Sequence, residues 1–182
     1  MSWLPLPLIT AGWGSAWAFG QAVISYVDPT PGWLLTGIAG GMATATALRV
    51  ARPSLRGTQL LAVVLGWAAG GAASAALTTY EALKGWIVMS LLGGVVTALT
   101  VVTAKRSAVV VAAWVLGGIV GTVVGTYSAR VFGPYAGGAL GGRSFLLIWA
   151  GAWALAGCLT GAVGGAVLLW QVNDSRGRTP ES

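Results

Sequence analysis

Few side chains in this sequence are equipped for chemistry, and those few are poorly spaced for it. The chain has no histidine and four carboxylates, Asp28, Glu81, Asp174 and Glu181, with long apolar stretches between most of them. Metal centres need clustered His, Cys or carboxylate ligands, and Cys158 is the sole thiol, so neither a metal site nor an internal disulfide is expected. Ser15, Ser74 or Ser90 as a nucleophile would lack the His or Lys that activates a hydroxyl. Acid–base relays fail for the same want of partners, and the sequence reads as that of a non-enzyme. What remains is hydroxyls, the amide of Gln21 and ten tryptophans. These groups are suited to packing, neutral hydrogen bonding and walling an apolar ligand.

The elements that carry them are apolar. Of 182 residues, 56% are hydrophobic and 8% charged, and mean hydropathy is +0.81. A water-soluble domain carries roughly 25% charged residues, so a surface facing lipid is expected. Six stretches, Ile9–Val27, Gly32–Leu48, Leu60–Thr79, Gly85–Ala104, Ala108–Tyr127 and Phe145–Val172, are each long enough to cross a ~30 Å hydrocarbon core as helices. The reading is an all-α, polytopic integral membrane protein with six transmembrane helices in one domain, residues 1–182. "MSWLPLPLIT" lacks the cations of a secretory signal, so the first span reads as retained, with Pro5 and Pro7 keeping the lead-in extended.

The net charge of +6 follows topology. With the N-terminus inside, Arg49, Arg52, Arg56, Lys105, Arg106, Arg176 and Arg178 are cytoplasmic, and Lys84, Arg130 and Arg143 lie outside, as the positive-inside rule requires. Anionic lipid headgroups, not nucleic acid, are the expected acidic partners. Both termini then face the cytoplasm of a bacterial inner membrane, with residues 173–182 as a tail.

Repetition organises the spans. "GWLLTGIAGGMATA" from Gly32 lies over "GWIVMSLLGGVVTA" from Gly85, and "GCLTGAVGGAV" from Gly157 keeps the double glycine at Gly164-Gly165. Trp17, Trp67 and Trp114 each precede small residues by about one turn. The chain thus reads as three pseudo-repeated hairpins, about 9–52, 60–106 and 108–172, arranged as parallel repeats. Small residues recur every fourth position in every span, placing Gly20, Gly37, Gly41, Gly66, Gly70, Gly94, Gly117, Gly121, Gly161 and Gly165 on helix-packing faces. Trp17, Trp67 and Trp114 are expected to fill glycine notches, or else to wall a lipid, quinone or pigment. Gln21, aligned with Gly71 and Gly118, is expected to bond across a helix interface or to a cofactor head group. Trp33 and Trp86 are assigned to the outer aromatic belt, and Trp149 and Trp170 to opposite borders of the sixth span.

Thr30 is the expected N-cap of the second span, with Pro31 at its first helical position. Residues 133–142, flanked by Arg130 and Arg143, read as an external connection or a re-entrant segment. Asp28 and Glu81 sit at equivalent outer turns and are candidates for ion pairs with Lys84, Arg130 or Arg143.

With its repeated Trp-x-x-Gly-Gly, "GWLLTGIAGG" and "WAGAWALAGCLTGAVGGAVLLW", the chain resembles the small Trp/Gly-rich multi-span membrane proteins of bacterial genomes over nearly its whole length. In size and small-residue spacing it is also similar to the substrate-binding subunits of energy-coupling-factor transporters. Neither resemblance implies functional residues. The expected function is an accessory or scaffold subunit packing through Gly-lined faces into a larger membrane complex or homo-oligomer. The alternative is a channel, transporter or binding subunit for a small neutral or lipid-like solute.

Overall fold

The computed structural model describes residues 4–78, 82–139 and 142–174. These form α1 (Pro5–Tyr26), α2 (Pro29–Ala51), α3 (Gly57–Thr78), α4 (Ala82–Val101), α5 (Ala104–Ala139) and α6 (Gly142–Asp174). Five are long and apolar enough to cross a membrane, α2 to α6. The exception among the six expected spans is α1. At 22 residues it is about 33 Å long, but Pro5, Pro7, Ser15 and Gln21 dilute its apolar character.

Helix ends depart from the sequence expectation in three places. The extended lead-in is instead the first turn of α1, with proline at its start, where the fixed φ fits and a missing N–H costs nothing. The cap of α2 is Asp28 rather than Thr30: its backbone is extended, and its carboxylate accepts the Thr30 N–H at 2.7 Å. With the helix beginning at Pro29, the Thr30 N–H is itself a first-turn donor, and the Asp28 carboxylate satisfies it. Lastly, α5 runs on as helix through Ala139, across most of the expected 133–142 connection.

At the other end the turns are tied by side chains. The Arg49 guanidinium donates to the carbonyls of Pro53 at 3.0 Å and Leu55 at 2.7 Å. Gln59 accepts the Arg56 N–H at 2.9 Å, covering a donor at the start of α3.

Each helix packs along its neighbours in the chain, and α6 closes against α1. The result is a ring of six helices with alternating direction. Its interior is rich in Trp, Gly, Ser and Thr: Trp13, Trp67, Trp86, Trp114, Thr44, Ser74, Ser90, Thr97 and Thr160 are all buried. Its outer face is Leu, Val and Phe, with Leu61, Leu65, Leu99, Leu116, Val123 and Phe132 more than half exposed. That distribution inverts the one water imposes on a soluble domain.

Candidate functional site

The centre of the ring is made of indoles. Trp13 of α1, Trp67 of α3 and Trp114 of α5 meet in a triangle, with centroids 4.5, 4.9 and 5.3 Å apart and planes inclined at 51–67°. Tilted, edge-to-face contacts suit the ring quadrupoles better than flat stacking. Beneath the triangle Ile9, Val63 and Val110 are fully buried, each four residues before its tryptophan. Each indole sits in a notch on the other helix of its hairpin: Trp13 against Gly40, Trp67 against Gly93 and Trp114 against Gly164. A methyl group at any of the three glycines would enter the ring's space.

Four residues beyond each notch the polar contact is decided. Trp13 Nε1 donates to Thr44 Oγ1 at 3.0 Å, and Trp67 Nε1 to Thr97 Oγ1 at 3.0 Å. Leu168 holds the corresponding place beyond Gly164, and Trp114 Nε1 is buried without a partner. The residue to set beside Trp67 and Trp114 is therefore Trp13, not Trp17 as the Trp-x-x-Gly spacing suggested. In this register Gln21 aligns with Ala75 and Thr122 rather than with Gly71 and Gly118. The threonines were visible in the aligned "GGMAT" and "GGVVT"; what the spacing lacked was Trp13, whose third neighbour is Ala16.

Another group of indoles continues the column. Trp86 packs at 5.4 Å from Trp13 and 6.4 Å from Trp67, and Trp17 lies 4.5 Å from Trp86 and 5.5 Å from Trp153. Trp149 adds an edge contact to Trp153 at 5.9 Å. Trp33 and Trp86 are buried, which corrects their assignment to an aromatic belt. Gly118 leaves the space into which Trp86 inserts, and a side chain with an inward vacancy packs there rather than at the lipid border. Trp170, by contrast, is exposed. The Nε1 atoms of Trp17, Trp86 and Trp153 and the hydroxyls of Ser90 and Thr122 are buried without partners, and Gln21, four residues after Trp17 on α1, is buried. Other hydroxyls bond backbone: Thr36 to Gly32, Ser74 to Gly70 and Gly85, and Thr160 to Ala156 and Gly117.

The ten glycines predicted on packing faces all meet another helix of the same chain, each facing the next helix in the ring. Gly20 meets Thr36 of α2, while Gly37 and Gly41 meet Trp67 and Val64 of α3. Gly66 and Gly70 meet Val96 and Met89 of α4, and Gly94 meets Val111 and Trp114 of α5. Gly117 and Gly121 meet Thr160 and Ala156 of α6, and Gly161 and Gly165 meet Ile9 of α1. In the double glycines of α2, α4 and α6 the leading residue faces back to its tryptophan and the trailing one faces forward to the next hairpin, as a rotation of about 100° per residue dictates. Within the chain, neighbouring helices occupy these packing faces. Arg130 is exposed on α5. Arg143 falls in the first turn of α6, with its side chain outside the described residues, as is Glu81. Among the described residues no His, Cys, Asp or Glu cluster could hold a metal ion.

A helical ring with a tryptophan-filled centre and an aliphatic exterior defines the architecture. Comparisons with protein-family models, curated proteins and solved structures gave no match.

Proposed function

We propose that this chain is a multi-pass, non-catalytic protein of a bacterial inner membrane, built from three hairpins, α1–α2, α3–α4 and α5–α6, with both termini cytoplasmic. It serves as an accessory or scaffold subunit of a larger membrane complex or of a homo-oligomer. The observation that carries this reading is the mutual contact of Trp13, Trp67 and Trp114 at the ring centre. Three indoles in van der Waals contact give a rigid plug where a passage would need space, and no group of the kind used in acid–base or metal chemistry stands beside them. With the glycine faces occupied inside the ring, partners engage the outward Leu, Val and Phe faces. Purification in a mild detergent followed by mass spectrometry tests this: defined membrane-protein partners or a stable oligomer are expected, and a solitary monomer refutes it.

An alternative reading has its own support. Trp17, Trp86 and Trp153 Nε1 with Ser90 and Thr122 Oγ form a buried set of unpartnered polar atoms. Donors without acceptors cost free energy in a dry interior, and a neutral solute bearing acceptor oxygens would satisfy them. Binding of a quinone or other carbonyl-bearing lipid follows from this reading. A saturable rise in thermal stability with ubiquinone-type compounds, lost in Trp17→Phe, supports it; no shift with any such compound counts against it.

A further inference from the structure

Resting on the membrane reading above, we propose that a cleft between the α2–α3 and α4–α5 connections binds the phosphodiester headgroup of an anionic phospholipid. The cleft encloses ≈ 360 Å³ and is walled by Arg52, Ser54, Gln59 and Thr103, with Leu55 and Val101 among its apolar lining. Arg52 donates one hydrogen bond, from Nη1 to the Val101 carbonyl at 3.3 Å. A guanidinium has five donors in a planar fork, so this bond orients the group and leaves capacity for a bidentate phosphate contact. Gln59 holds the wall in place, donating to the Thr100 carbonyl at 3.4 Å while accepting from Arg56.

The next corner of the ring shows what is missing here. There Arg106 pairs with Asp174 at 2.7 Å, at the end of α6. Asp174 lies ten residues beyond Gly164, and Thr103 lies ten beyond Gly93. Where Arg106 has a carboxylate, Arg52 has a hydroxyl-lined cleft, and among the described residues no carboxylate pairs with it. Arg49, Arg56 and Lys105 lie nearby in sequence, and Glu81 is the sole carboxylate in the sequence between Asp28 and Asp174. Among the described residues the charges at this end are Arg49, Arg52, Arg56, Lys105 and Arg106 against Asp174 alone, so its net potential is positive and draws anions.

The amphiphilic surroundings select a lipid over a soluble phosphate. Leu61 on α3 and Leu99 on α4, close in sequence to the cleft-lining Gln59 and Thr100, are exposed. They offer an apolar surface for acyl chains just inside the headgroup level.

The test measures retention of phosphatidylglycerol against phosphatidylcholine by native mass spectrometry, on full-length protein from vesicles of equal parts of the two. Wild type should prefer phosphatidylglycerol, and Arg52→Gln should lower that preference about fivefold, the effect of one cation near an anionic surface. Thr103→Asp, which supplies the carboxylate found at the Arg106 corner, should lower it as much without depending on how Arg52→Gln folds. Arg106→Gln should leave it intact. Unchanged preference in both Arg52→Gln and Thr103→Asp overturns the proposal. Displacement of the lipid by millimolar inorganic phosphate also overturns it, assigning the cleft to a soluble anion. Failure to insert into vesicles at all would instead refute the membrane reading on which the site rests.

Discussion

Trp13 donates its indole hydrogen to the Thr44 hydroxyl at 3.0 Å across the α1–α2 contact. Thr44 passes its own hydrogen to the Gly40 carbonyl at 2.9 Å, and Gly40 is the residue whose bare backbone admits the Trp13 ring. One five-residue segment of α2, Gly40 to Thr44, thus supplies both the space for the indole and the acceptor for its N–H. The α3–α4 hairpin repeats the arrangement with Trp67, Gly93 and Thr97.

A double-mutant cycle on this pair should register the bond. Thr44→Val removes the acceptor and leaves Trp13 with an orphan N–H, at an expected cost of about 1–3 kcal/mol. Trp13→Phe combined with Thr44→Val should show a coupling of about 0.6–2 kcal/mol, the range of polar contacts between membrane helices. Reversible unfolding in mixed detergent micelles measures both. Strict additivity of the two single changes would dismiss the hydrogen bond as an energetic contributor.

The third hairpin allows a gain rather than a loss. Leu168 stands one turn beyond Gly164, and Trp114 Nε1 has no partner. Leu168→Thr should be more stable than Leu168→Val by about 1 kcal/mol, because the two side chains match in shape and differ by the hydroxyl. Equal unfolding midpoints for the two variants would show that the Trp114 indole cannot reach this position.

Glycines should divide by what surrounds them, not by their number. A Cβ on Gly70 would stand 2.8 Å from the Met89 carbonyl oxygen, and one on Gly37 would run into the Trp67 carbonyl, whereas Gly151 faces open space. Gly37→Ala and Gly70→Ala should each lose about 1–3 kcal/mol through forced helix separation. Gly151→Ala should be neutral or slightly stabilising, since alanine is the better helix former. Leu34→Ala, on the outer face, belongs with Gly151→Ala. Thermal shifts of the four variants in one detergent check the order.

Lipid quenching separates the tryptophans by position. Trp170 is 59% exposed while Trp67 and Trp114 are fully buried. In vesicles of brominated phospholipid, Trp170→Phe should remove a clear share of the quenching and Trp114→Phe should remove little. The reverse pattern would mean that the indole triangle opens toward the acyl chains.

How much of the fold and its centre is legible in the sequence depends on which physical signal each feature leaves. Long apolar runs announce the helices, because backbone pairing in an apolar medium admits few alternatives, and fourfold spacing of small residues announces faces of close approach. The partner of each face is not legible: Gly37 has the same sequence setting whether it meets Trp67 or another chain. Trp33 and Trp86 begin their spans, a position that suits both a lipid border and an inward pocket, and for Trp86 the vacancy at Gly118 decides between them. Trp17 stands out through its third neighbour, Gly20, while Trp13 is inconspicuous because Ala16 follows it. The Asp28 cap is obscured by Thr30, an equally good capping residue two places on.

The paired glycines, one turned back and one forward, have a consequence for connectivity. Gly165 of α6 meets Ile9 of α1 as Gly41 of α2 meets Val64 of α3, so the seam between the last helix and the first is built like the seam between consecutive hairpins. Chain order then carries little of the information that closes the ring. A circular permutant joined from the end of α6 to the start of α1, and opened between α2 and α3, should assemble the same six-helix wall around the same indoles.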